Sequence, residues 1–237
     1  MDQAAYHVLV HTLFDVWAWL TAIATMMLLR RTWFATNPVE QAKRFGYLAA
    51  VLLGAGLGAW VFGTFNSWLS GQVGLARSVE GALAGAIFSI EIFKRANGIT
   101  VRTGAIYALP MALGIAIGRI GCLLSGLEDF THGIPTGANW GWDFGDGILR
   151  HPVQLYETLA MAAFALSYVI MVKRRSGFWK TQGFYLAVLF YSIERFALEF
   201  WKPYTALVAR LTIFQVLSIA LCAYAVTMLL SRKRDLV

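Results

Sequence analysis

Charged side chains are scarce in this sequence, at 14% of 237 residues against 58% hydrophobic. With a mean hydropathy of +0.60, that balance excludes an ordinary soluble domain and places the chain among integral membrane proteins. Cysteine is almost missing. Cys122 and Cys222 each lie inside an apolar run, so the chain has neither a disulfide framework nor a CxxC metal site. No HExxH, GxSxG, P-loop or Rossmann pattern occurs, which argues against zinc proteases, serine hydrolases and nucleotide-dependent enzymes. Low-complexity tracts, convincing repeats and a soluble domain are absent as well. The net charge of +7 does not point to nucleic acid, because the basic residues follow membrane topology instead of gathering with base-stacking aromatics.

What the chain does have is a series of apolar runs. At about 20 residues per span, helices are predicted over about 8–29, 46–69, 79–93, 104–126, 152–172, 182–201 and 211–231, the third being short and weak. The first run is not a cleavable signal peptide, since Arg30 and Arg31 follow it and no basic residue precedes it. Arg30, Arg31, Lys43, Arg44, Lys94, Arg95, Arg102, Lys173, Arg174, Arg175, Lys180, Arg232, Lys233 and Arg234 fall on one side of this arrangement. Only Arg77, Arg150, Lys202 and Arg210 fall on the other. The positive-inside rule then predicts an outer N-terminus and a cytoplasmic C-terminus. The expected fold is an all-α integral membrane protein of seven transmembrane helices, forming one polytopic domain over 1–237. A small extracytoplasmic loop or cap over 127–151 joins helices 4 and 5.

Two basic residues remain, Arg119 and Arg195, and both lie within spans. A charge in hydrocarbon costs at least ~2.5–3.5 kcal/mol, so each needs a compensating partner. In "GIAIGRIGCLLSG", Gly114, Gly118 and Gly121 share a helix face that lets a helix or ligand approach closely. Arg119 beside that face either pairs with a structural Glu or grips an anion in a polar cavity. In "YSIERFALEFWKPY", Arg195 and Glu199 are four apart and can pair, either structurally or to aim Arg195 at a ligand. In "RHPVQLYE", Pro152 suits a helix start, Gln154 and Glu157 share a face, and Arg150 and His151 sit at the outer interface. This is a phosphate-recognising mouth or a plain helix start. In "RSVEGALAG", Glu80 precedes a Gly81–Gly85 close-packing pattern and is either a general base or an interface charge. Read alone, Glu80 is an interface charge. Together these groups make a cationic cavity facing outer-leaflet headgroups, suited to an anionic phospholipid.

With these motifs in their order, and with "FQVLSIA" at 214–220 in the last span, the sequence resembles the prolipoprotein diacylglyceryl transferases over most of its length. The resemblance implies an enzyme of the bacterial cytoplasmic (inner) membrane, multi-pass and monomeric, with its active site toward the outer leaflet. Such an enzyme moves the diacylglyceryl group of phosphatidylglycerol to the lipobox cysteine of a lipoprotein precursor, presented on its signal peptide, and releases glycerol phosphate. It implies Arg195, Glu199, Glu80 and His151 as catalytic residues. Arg119, Gly118, Gly121, Arg150, Gln154, Tyr156 and Glu157 bind substrate, with His151 and Glu157 shaping the mouth. It implies neither a metal nor an organic cofactor. Departures from the family pattern leave two other readings open, a relative with another acceptor and a noncatalytic anionic-lipid-binding protein. Glu80-Gly81-Ala82 stands where members typically carry His followed by two glycines. Cys122 stands where Asn is common, and "VHTLFDVW" with His11, Leu13, Phe14 and Asp15 stands where a Tyr is expected.

Overall fold

The computed structural model describes residues 3–174 and 176–231. Arg175, Arg232, Lys233 and Arg234, which contribute to the charge asymmetry above, lie outside them. Among the described residues the chain forms seven α-helices: α1 Gln3–Thr32, α2 Arg44–Leu69, α3 Val79–Ala96, α4 Ala108–Ser125, α5 Val153–Lys173, α6 Gly177–Leu198 and α7 Ile213–Leu230. Five helical segments, those of α1, α2, α4, α5 and α7, are long and apolar enough to cross a membrane. The other two helices carry charged residues along their length: Glu80, Glu91, Lys94 and Arg95 on α3, and Lys180, Glu194 and Arg195 on α6.

Helix α4 is the centre of the bundle, packed between α1 and α5, with α6 closing beside α5 and α7 beside α6. Its small residues make this possible. Ala108 and Ala112 have no exposed surface, and they share a core with Met161, Tyr168 and Tyr191. The periphery is apolar instead of polar, with Leu13, Trp17, Leu20 and Met27 of α1 and Leu53, Leu57 and Trp60 of α2 all exposed. A contiguous patch of that kind is stable against hydrocarbon and not against water.

The small-residue pattern on α3 has its counterpart on α2. A Cβ on Gly85 would collide with the Gly54 carbonyl, and one on Gly81 with that of Gly58. The two GxxxG faces therefore cross backbone to backbone. The glycines of α4 divide differently. Gly121 lies against the Phe14 ring of α1, Gly114 near Ala18 and Ala22, and Gly118 has open space where its side chain would be. Helix α4 ends at Gly126, whose φ of +80° favours glycine, and a 3-10 turn, Gly126–Asp129, follows it. The segment expected as a loop or cap contains a two-stranded hairpin, β1 Trp142–Asp143 with β2 Leu149–Arg150.

Candidate active site

Helices α3, α4, α5 and α6 each bring an ionisable side chain to one buried cluster. At its centre is Glu157 of α5, with no exposed side-chain surface. Arg119 Nε lies 2.6 Å from its Oε2, an ion pair whose geometry falls short of a hydrogen bond. Arg195 Nη1 and Lys202 Nζ donate to its Oε1 at 2.9 and 3.1 Å. One carboxylate thus holds three cations. Glu157 was expected to shape a mouth; its place is instead deep in the network, because three positive charges out of water need a shared counterion more than solvent does.

Arg195 is held on every side. Its Nε donates to Glu80 Oε2 at 3.3 Å, its Nη2 lies 3.0 Å from Glu199 Oε2, and its guanidinium sits 5.0 Å from the centre of the Phe214 ring. Both carboxylates are anchored in turn by α7. Ser218 Oγ donates to Glu80 Oε1 at 2.6 Å. Thr212 Oγ1 donates to Glu199 Oε1 at 2.7 Å while capping α7 in a reciprocal box with Gln215. Glu80 is 1% exposed, so its reading as an interface charge is corrected. Position 80 follows the Ser78 cap of α3, and its carboxylate turns inward to Arg195 of α6 and Ser218 of α7.

Arg119 is less completely engaged. Among the described residues, apart from the contact with Glu157, its Nη1 meets only the Cys122 sulfur, at 3.9 Å. Three further polar groups near this network lack partners among the described residues: Gln154 Oε1, the Tyr191 hydroxyl, and both oxygens of Glu194. Tyr191 lies one turn before Arg195 on α6, and Gln154 one turn before Glu157 on α5. Buried polar atoms left unsatisfied cost about 1–3 kcal/mol each, and a polar ligand that supplied donors and acceptors here would remove that cost.

Of the remaining expected site residues, Gln154 is buried beside the network, while Arg150, His151 and Tyr156 lie at its periphery and do not join it. His151 stacks on Trp201, ring centres 5.3 Å apart, with its Nδ1 3.5 Å from the Tyr156 hydroxyl. Tyr156 also accepts from Trp140 Nε1 at 3.1 Å. Gln154 Nε2 donates to Thr131 Oγ1 at 3.2 Å. Arg150 turns away on the hairpin and forks onto Asp146 at 2.8 and 2.7 Å, which holds the Asp146 carboxyl down at about 2. Lys202, Ser218 and Thr212 escaped the sequence reading. Lys202 counted only as a topological charge, and a serine or threonine in an apolar helix carries no signal of its partner.

Comparisons with known proteins bear on this arrangement. A sequence model of the family described as prolipoprotein diacylglyceryl transferase matches residues 6–231. The phosphatidylglycerol–prolipoprotein diacylglyceryl transferase of Geobacter sulfurreducens is 29% identical over 207 residues, which cover 80% of this chain and 77% of that protein. Proteins of the same name from Wolbachia pipientis subsp. Culex pipiens and from Wolinella succinogenes are 28% and 29% identical. Those matches cover 65% and 66% of this chain but 62% and 58% of the relatives, less than two thirds of their length. No solved structure matches the chain.

Proposed function

Because the chain belongs to the prolipoprotein diacylglyceryl transferase family, we propose that it transfers the diacylglyceryl group of phosphatidylglycerol to the thiol of a lipobox cysteine, releasing glycerol phosphate. The observation that carries this reading is the pair of buried arginines that share Glu157, one locked and one with donors to spare. Displacement at a glycerol carbon builds charge on the departing phosphate oxygen. Preorganised cations in a water-poor site stabilise such charge best. Arg119 has the free valence to grip the lipid phosphate. Arg195 is fixed by Glu80, Glu157 and Glu199, so it is already oriented when the leaving group forms. Among the described residues, Gln154 Oε1 and the Glu194 carboxylate are acceptors without donors, the complement of a headgroup glycerol with its hydroxyls.

On this reading the seven helices all cross the bacterial cytoplasmic membrane, with the N-terminus outside. His151, Trp201 and the 127–151 segment then form the rim at the outer leaflet, where the signal peptide of a precursor arrives. We read the enzyme as a monomer. The test is to incubate the purified protein with labelled phosphatidylglycerol and a lipobox peptide. Glycerol phosphate release together with a thioether on the peptide is expected. Lipid binding without either product would overturn the enzymatic reading, and release without peptide modification would point to another acceptor.

A further inference from the structure

Beside Arg119, at the N-terminal part of α1 and the C-terminal end of α4, lies a second cluster that the transfer scheme above does not use. His11 Nε2, Cys122 Sγ and a carboxylate oxygen of Asp129 all lie within 4.8 Å of one another. His11 Nε2 is 3.0 Å from Asp129 Oδ1 and 4.0 Å from Cys122 Sγ. A tetrahedral zinc ion with Zn–N and Zn–O near 2.0–2.2 Å and Zn–S near 2.3 Å separates such pairs by about 3.4 and about 3.6 Å. The observed spacings are within about half an ångström of those values.

The surrounding contacts suit a metal too. The other ring nitrogen, His11 Nδ1, points to Asp15 Oδ2 at 3.1 Å, the carboxylate–histidine arrangement that fixes a ligating imidazole with Nε2 free for the ion. Asp15 is itself held by Arg77 Nη2 at 3.2 Å. The second oxygen of Asp129 accepts from Thr131 Oγ1 at 2.5 Å. One thiolate and one carboxylate would balance a divalent charge, so a neutral centre replaces separate charges at the membrane edge. Sulfur and imidazole in the set select zinc over magnesium or calcium.

We propose that His11, Cys122 and Asp129 bind a zinc ion whose fourth position receives the acceptor thiol. This second half rests on the transferase reading. Three protein ligands and an open position are the pattern of a catalytic zinc site, and a thiol that coordinates zinc loses its proton. The proton leaves to water at the mouth, where the His11 side chain is 23% exposed. The zinc-held sulfur then forms the C–S bond to the glycerol carbon while the C–O bond to phosphate breaks. The electron pair leaves on the phosphate oxygen toward Arg119, whose Nη1 is 3.9 Å from Cys122 Sγ. Zinc does not change oxidation state.

The full chain in detergent micelles, stripped with chelator and reloaded, is expected to retain one zinc per molecule after desalting. Cys122→Ser and His11→Ala should lower retention at least tenfold, and Asp15→Asn should weaken affinity 10- to 100-fold. Cobalt loaded into the unaltered protein should show a thiolate-to-cobalt charge-transfer band, which needs no variant to fold. That band should change when a lipobox peptide is added and not when its Cys→Ser version is. Failure of the unaltered protein to retain zinc, or bound cobalt without the thiolate band, would overturn the site. An unchanged band with the peptide, or equal transfer by stripped and loaded protein, would overturn the thiol step. A protein that binds zinc and shows the peptide-dependent band but transfers no lipid would count against the transferase reading alone, leaving the zinc site supported.

Discussion

Arg119 Nε and Glu157 Oε2 are 2.6 Å apart, so the arginine in the glycine-rich segment of α4 has a protein counterion as well as spare donors. The two alternatives that the sequence poses for it, a structural pair and an anion grip, are therefore not exclusive. Glu157 offsets the cost of the buried charge, and the outer nitrogens remain for a ligand.

Substituting Arg119→Ala should reduce phosphatidylglycerol-dependent turnover by about 10²–10³-fold, the loss usual for one preorganised donor at a developing oxyanion. Folding should suffer less, because Glu157 keeps Arg195 and Lys202. Turnover of labelled lipid and thermal unfolding in detergent, measured on the same preparation, check both halves. Full activity would return Arg119 to a structural role.

Glu157→Leu should be the more damaging change for stability. It leaves three cations without their common carboxylate, and breaking a buried pair by removing one partner costs about 3–5 kcal/mol. Denaturant unfolding is the measurement, with Glu157→Gln as the milder comparison. A Leu variant as stable as the parent would mean that the cations find other partners.

Glu80 is tied to Arg195 and Ser218, which suits a positioning residue. Glu80→Gln is expected to lower kcat about tenfold or more, as loss of a group that orients catalytic machinery does, with the shape of the pH–rate profile preserved. If the basic or acidic limb of that profile disappears instead, Glu80 transfers a proton in the reaction.

The hairpin of β1 and β2 should respond to acid. The Arg150 hydrogen bonds lower the Asp146 carboxyl from 3.8 to about 2. A carboxylate with a depressed value contributes order that is fully present above its unperturbed value and is lost as pH falls through the depressed one. Proteolysis within 141–150 should therefore be slow at pH 5 and faster near pH 2, and Arg150→Ala should abolish the difference.

Crossing of α2 and α3 depends on backbone contact at Gly54, Gly58, Gly81 and Gly85. Gly85→Val should destabilise the protein by about 1–3 kcal/mol through overpacking. Gly56→Val, at a position with open space, should be nearly silent in the same thermal unfolding series.

Much of the helix set was legible beforehand, because spans follow from runs of apolar residues and need no partner to be recognised. The expected 79–93 extends to Ala96, and the expected 182–201 begins at Gly177 and tightens into a 3-10 turn at Glu199–Trp201. The Arg195–Glu199 pairing was also readable, since four residues on one helix are neighbours wherever that helix packs. The match of Gly54 and Gly58 with Gly81 and Gly85 was half readable: the pattern on α3 announces a close contact but does not say with which helix.

By itself the sequence determined the membrane class, the approximate helices, the presence of two arginines that could not stay unpaired, and the family resemblance. Each of these rests on local composition, short-range spacing or motif order. Only the tertiary structure decided that Glu157 serves three cations, that Glu80 is buried under Arg195 and Ser218, and that His11 and Asp129 converge on Cys122. Those relationships join residues from different helices. Which faces meet is set by the packing of small residues across the whole bundle, not by any segment taken alone.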